Sequence, residues 1–260
     1  VLSFFMCLGF FNNSFSNEEP LKNSIKNNQR LQEHIIRDKY RNPEETLNFF
    51  GIKPEMHVLE ILPGKGYYTE ILAHYLNKKG KLTIANFGED NKNEYLRSLH
   101  INFVNYFKKQ DFGKMHIRKF YSEGYLSEIP DNSIDLVLTF RNTHNWINNK
   151  SVTAIYKSIN RVLKKGGTLG VVQHRANIND DEILSSKKGY VPEKYLIKLI
   201  ENLNFKFNSR TEVNSNAFDT KNYPEGVWTL PPTFRLKEKD REKYQLIGES
   251  DRMTLRFIKK

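Results

Sequence analysis

The feature that most constrains this chain is its alternation of two periodicities. Short apolar runs of strand length take turns with longer segments of helical period, beginning at "VLEILPGKGYYTEIL", Val58 to Leu72. That stretch reads as a strand, a tight glycine turn and a helix. "KLTIANF", "MHIRKFY", "SIDLVLTF" and "TLGVVQHR" follow as strands, and "KFNSRTEV" and "RMTLRFIKK" close the series. Between them, "NEYLRSLHINFVNYFKKQ" sets Leu96, Leu99, Phe103 and Tyr106 on one helical face. "SVTAIYKSINRVLKKGG" reads as a helix with a glycine stop, and "PEKYLIKLIENLNF" as another helix. Strands alternating with helices predict an α/β fold, a mostly parallel sheet with helices on both faces.

The segments outside this alternation are of three kinds. "NPEETLNFFG" carries helix punctuation: Asn42 as N-cap, Pro43 at the first helical position, Glu45 two residues on and Gly51 past the end. Before it, residues 21–50 form a helical extension in which Leu31, Ile35 and Ile36 are the expected buried stripe. Residues 1–20 are set apart. "VLSFFMCLGFF" has the length of a signal peptide and is too short for a spanning helix, so export to the periplasm is expected, with membrane contact through this segment and a cytoplasmic location as the alternative. The domain proper is residues 51–260. Its stretch from about 214 to 250 is rich in turn residues, and so long a connection is more often functional or mobile than decorative.

Composition narrows the function classes. With 260 residues, 38% hydrophobic and 27% charged, the chain can bury a core. The net charge of +11 comes in short clusters such as Lys164-Lys165 and Lys187-Lys188, with no basic stripe interleaved with aromatics, so nucleic acid is not favoured as partner. The single Cys7 excludes an intrachain disulfide, and the seven histidines show no metal-ligand spacing, so no metal is expected.

Ligands of open α/β sheets bind beyond the carboxyl ends of the strands. Five polar segments fall there: Glu60 to Gly66, Asn86 to Asp90, Ser122 to Gly124, Arg141 to Trp146, and His174-Arg175. Gly64 and Gly66 suit a close backbone approach to a ligand at a helix start. Thr69 stands where the third glycine of a dinucleotide fingerprint would fall, which weighs against a dehydrogenase.

These segments together are familiar. "VLEILPGKGYYTEIL" resembles motif I of class I S-adenosylmethionine-dependent methyltransferases. "IPDNSIDLVLTF" and "INRVLKKGGTLGVV" are similar to the fourth-strand and fifth-strand regions of that superfamily, and "YRNPEETLNFFGI", "TFRNTHNW" and "GESDRMTLRF" look like a group of bacterial methyltransferases with export-like N-termini. The resemblance spans roughly Asn42 to Lys260. It implies a Rossmann-like seven-stranded sheet in the order 3-2-1-4-5-7-6, the last strand antiparallel, and S-adenosylmethionine as cofactor. It assigns Glu60, Pro63, Gly64, Gly66, Thr69, Asn86, Glu123 and Asn142 to the cofactor, with Glu60 at its amino end and Asn86 where an acid usually meets the ribose. It assigns Arg141, Asn142 and His144 to the methyl-transfer side, His144 as candidate base. The expected activity is methyl transfer to a small-molecule or lipid-like acceptor. The alternatives are a non-catalytic cofactor-binding domain of the same fold and, less favoured, a nucleic-acid methyltransferase.

Overall fold

A computed structural model of the chain describes residues 15–110, 112–120 and 124–260. The apolar start with Cys7, and Glu123, lie outside the described residues. Four helices open the chain: α1 (Phe15–Ile25), α2 (Gln32–Ile35), α3 (Asp38–Arg41) and α4 (Pro43–Phe50). The alternation follows as β1 (His57–Ile61), α5 (Tyr67–Leu76), β2 (Lys81–Asn86), α6 (Glu94–Lys109), β3 (Met115–Lys119) and β4 (Ile134–Phe140). Next come α7 (Thr143–Asn148), α8 (Val152–Val162), β5 (Leu163–His174), α9 (Glu182–Lys187), α10 (Glu193–Glu201) and β6 (Phe205–Thr211). A short 3-10 turn (Gly226–Thr229), α11 (Arg241–Ile247) and β7 (Arg252–Lys259) complete it.

All seven apolar runs become strands of one sheet, ordered β3-β2-β1-β4-β5-β7-β6. The pairs from β3 to β5 are parallel, and β7 runs antiparallel to both β5 and β6. Side-chain alternation divides the core into two layers. Leu59 and Ile61 of β1 face one layer with Tyr156, Ile159 and Leu196, while Val58 faces the other with Leu47, Ile71 and Phe103. Among the described residues no helix is long and apolar enough to cross a membrane, and no cluster of residues is suited to hold a metal ion.

Three local expectations change. Helix α8 ends at Val162, and Leu163 to Gly167, read as the helix end and glycine stop, already belong to β5. Leu163 is fully buried and pairs with Ile134, with a register shift before Leu136. Tertiary pairing thus overrides the helical pattern there. Asn42 precedes α4 but does not cap it: its backbone is left-handed (φ 39°) and its Nδ2 donates to the Val213 carbonyl at 2.6 Å. In the extension, Ile36 is exposed and Leu31 and Ile35 are half-buried, while Arg30 and His34 are buried as deeply as the apolar Leu21, Leu47 and Phe50. The reason is Glu70, fully buried on α5. Arg30 Nε lies 3.6 Å and His34 Nδ1 3.0 Å from its carboxylate, and Arg30 forks onto Asp38 at 2.8 Å. Helix α1 spans Phe15–Ile25, and its Leu21 is fully buried.

The long connection between β6 and β7 is a strap tied at both ends. Asn214 Nδ2 donates to Thr46 and Thr254, and Asn216 Nδ2 to the Ile247 and Glu249 carbonyls. Arg175 forks onto both Asp251 and Glu212. The strap therefore lies across the carboxyl end of the sheet.

Candidate functional site

The segments after β1, β2, β3 and β4 share one cleft of about 930 Å³, to which they contribute Leu62 and Gly64, Phe87, Phe120 and Asn142. That volume lies within the ~300–1,000 Å³ usual for small-molecule sites. A recess of about 220 Å³ adjoins it, sharing Leu62, Gly64, Asn142 and His144 and adding Glu60, Pro63, Tyr68, Arg141 and His174. Trp228, from the strap, lines both.

Two neighbouring strands end in the same strained way. Leu62 after β1 has φ 48° and Arg141 after β4 has φ 64°, left-handed backbone that costs a side-chain-bearing residue of order 1–2 kcal/mol. Leu62 thus takes a conformation open to glycine without strain. Its amide donates to the Ala85 carbonyl at 2.8 Å, which holds the turn. Asn142 Nδ2 donates to the Ile61 carbonyl at 2.9 Å and to Thr139 at 3.2 Å, tying the two strand ends together.

The two glycines of the turn do different things. A Cβ on Gly64 would meet nothing within 4 Å, and Gly64 lines both the cleft and the recess. A Cβ on Gly66 would come within 2.6 Å of the Phe107 ring on α6. Gly64 is therefore the open cradle, whereas Gly66, at φ 88°, lets α5 and α6 approach each other.

Glu60 is the buried acid at this end of the sheet. It accepts a 2.6 Å hydrogen bond from Thr69 Oγ1, and burial pushes its carboxyl up to about 7 despite that bond. No cation pairs with it among the described residues. Thr69 is fully buried behind it and orients the carboxylate. Asn86, buried at the end of β2, accepts from the Phe87 amide at 2.8 Å and leaves its Nδ2 without a partner. Asp90 is held by Lys119 at 2.8 Å, and Glu89 is exposed.

On the transfer side, His144 Nδ1 lies 3.2 Å from Gln173 Nε2. That amide also donates to the Gly189 carbonyl at 3.0 Å, which fixes its orientation, so Nδ1 accepts and the ring proton sits on Nε2. Burial pushes His144 down to about 4. It is neutral near pH 7, presents Nε2–H as a hydrogen-bond donor, and is less basic than an ordinary histidine. His174, bonded through Nδ1 to Ser250, is likewise held well below its usual range, by burial first and then by His144. Arg175 pairs with strap carboxylates and lines neither the cleft nor the recess. Trp146 packs against Tyr156 and lines the cleft, and Trp228 lines both cleft and recess beside His144. Tyr68 stacks on Phe140 at 3.8 Å, and Tyr67 donates to Asp38 at 2.5 Å.

Sequence reasoning did not find Arg37, Arg41 and Glu249. Arg37 Nε donates to Glu249 at 2.6 Å, Arg41 Nε at 3.3 Å and Arg252 Nη1 at 3.0 Å. Burial alone would raise Glu249, but Arg41, Arg252 and Arg37 hold it far below the usual carboxylate range. The one local signal was the spacing of Arg37 and Arg41, four residues apart on a short polar segment.

Comparisons with known proteins agree with this architecture. Residues 59–171 match the family model described as a methyltransferase domain. A SAM-dependent methyltransferase from Aquifex aeolicus is similar in structure, with a TM-score of 0.58 at 15% identity, over 93% of this chain and 98% of that one. A cyclopropane-fatty-acyl-phospholipid synthase-like protein from Lactobacillus casei reaches 0.57 at 13% identity, over 93% and 99%. The cyclase SpnF reaches 0.57 at 14% identity, over 94% of each chain. No curated protein sequence matches the chain. The match to a methyltransferase domain over residues 59–171, together with a fold shared with S-adenosylmethionine-dependent methyltransferases, implies S-adenosylmethionine as the cofactor.

Proposed function

We propose that this chain is an active methyltransferase that moves a methyl group from S-adenosylmethionine to a small-molecule acceptor beside Arg141, Asn142 and His144. The observation that carries the reading is the pairing of Glu60 with Gly64. A fully buried carboxylate without a cation stands next to a glycine whose missing Cβ leaves ligand space. A ligand ammonium on Glu60 would offset the cost of burying that charge. The orphaned Asn86 Nδ2 supplies a hydroxyl-binding donor where the ribose is expected.

Bound there, the cofactor supplies an electrophilic methyl on a sulfonium. The chain's own groups position and shield. Leu62 and Trp228 exclude water, Asn142 has an amide oxygen free of protein partners for the acceptor, and His144 donates through Nε2. Transfer by in-line displacement needs mainly such positioning, and no base when the acceptor atom carries no proton.

Calorimetry with S-adenosylhomocysteine tests the reading. The wild type is expected to bind, and Gly64→Asp to lose binding by roughly a hundredfold or more while keeping its thermal midpoint within a few degrees. Absence of binding by the wild type overturns the proposal. A second reading, a binding domain without turnover, draws on the uncharged Asn86. It is favoured if the protein binds cofactor yet transfers no labelled methyl across a broad acceptor panel.

A further inference from the structure

Against the cofactor turn lies a third cavity, of about 290 Å³, lined by Gly64, Arg37, Arg41, Arg141 and Glu249 among others. Its charge is lopsided. Arg37, Arg41 and Arg252 all bond to the single carboxylate of Glu249, and Arg141 stands near the same group. Four guanidiniums thus face one acid.

The hydrogen bonds are left incomplete in a consistent direction. Glu249 engages Arg37 and Arg41 through Nε, and Nη2 of each is buried with no partner. Arg41 is 1% exposed. The Arg141 side chain makes no hydrogen bond or ion pair among the described residues, and its strained backbone fixes it at the cavity wall. Buried donors without acceptors are costly, and unbalanced charge more so. Burial and then the neighbouring Arg41 and Arg37 hold Arg141 well below the ordinary arginine range. A guanidinium nonetheless keeps its proton, so an anion bound among these groups would relieve that repulsion.

We propose that Arg37, Arg41 and Arg141 form a subsite for an anionic group, a carboxylate or phosphate, carried by the methyl acceptor. This rests on the methyltransferase reading for the word acceptor, though not for the anion site itself. The planar donor forks suit bidentate binding of either group. The recess and this cavity share Gly64, Arg41, Arg141, His174 and Trp228, so an acceptor anchored here would reach the transfer side. One other source offers the same chemistry, the carboxylate of the cofactor itself, and the test separates the two.

Inorganic phosphate is titrated into the full chain saturated with S-adenosylhomocysteine, followed by tryptophan fluorescence, with chloride at matched ionic strength as control. Phosphate is expected to bind the loaded wild type, Arg141→Met to weaken it roughly tenfold or more, and Arg141→Lys to fall between. Arg37→Gln is the second variant should Arg141→Met fail to fold, with the same loss expected. Affinity for S-adenosylhomocysteine is expected to change less than about threefold in each. A response that chloride reproduces, or no phosphate binding by the loaded wild type, overturns the subsite. A loss of S-adenosylhomocysteine affinity as large as the loss of phosphate affinity assigns the cluster to the cofactor and overturns it too. Failure of the wild type to bind S-adenosylhomocysteine sinks the methyltransferase reading instead. Phosphate titrated into unloaded wild type and Arg141→Met then tests the cluster alone, with the same tenfold difference expected and equal binding overturning it.

Discussion

The glycine turn and the arginine cavity beside it are built by opposite means. The turn, proposed above as the cofactor side, comes from a strand end and from backbone: Gly64, the left-handed Leu62, and Glu60 oriented by Thr69 nine residues on. The arginine side comes from side chains whose positions lie far apart in sequence, Arg37 and Arg41 from the N-terminal extension, Arg141 from the end of β4, and Glu249 and Arg252 from the strap and β7. Local geometry specifies the first. Only the finished tertiary structure assembles the second. The lesson is that one part of a site can be made by neighbouring residues, while another is added by segments far apart in the chain.

The largest expected effect attacks the local side. Gly66→Val forces a Cβ into the Phe107 ring at 2.6 Å and strains a φ of 88°. A loss of about 2–5 kcal/mol is expected, lowering the thermal midpoint by roughly 5–15 °C. A midpoint within a degree of wild type would show that α6 yields freely, and the contrast with Gly64 would collapse.

Arg175→Ala attacks the assembled side without touching the cavities. It leaves Asp251 buried and deprived of its fork. Because Arg175 and Glu212 are partly exposed, roughly 1–3 kcal/mol is expected. Hydrogen exchange should quicken at strap amides such as Asn216 and leave β1 and β2 unchanged. Equal quickening in both places would mean that the strap and the cofactor side fold as one unit.

The smallest effect is a titration. Glu60 shifts from an ordinary 4.5 to about 7 through burial. Between those values the folded state holds a proton that the unfolded state has released, so stability falls as pH rises through that window. A ligand ammonium favours the ionised form, so S-adenosylhomocysteine should bind more tightly as pH rises from about 5.5 to about 8, with proton release. Glu60→Gln should remove both dependences and weaken binding by about tenfold. Parallel pH curves for the variant and wild type would dissociate Glu60 from the ammonium.

What could be read from sequence follows the same division. The seven strands are legible because most are short apolar runs, with β3 and β6 alternating apolar and polar residues, and Pro43 and Gly51 mark α4 because their backbone preferences are local. The order of the strands came from resemblance, not periodicity. The end of α8 is not legible because Leu163 pairs with Ile134 of β4, a fact of tertiary structure. Asn42 was taken as a cap because its residue type fits, while Val213, far along the chain, claims its side chain. The apolar stripe of Leu31, Ile35 and Ile36 does not reveal that Arg30, His34 and Arg41 are the buried positions of that stretch, because they answer Glu70 and Glu249 far along the chain. His144 could be placed at the site, but its tautomer depends on Gln173 of β5.

The position of β7 has a consequence for how the chain reaches this state. It follows every other strand in sequence yet lies between β5 and β6, and β6 has no other neighbour in the sheet. Until β7 arrives, one edge of β5 and both edges of β6 stay open, and its fully buried Leu255 and Phe257 have no place to pack. Closure therefore joins distant segments late, which slows folding and leaves strand edges able to pair with other chains meanwhile. Refolding yield should depend steeply on protein concentration, and the arginine cavity, whose Glu249 is bonded by Arg252 of this same strand, should be the last part of the molecule to become competent.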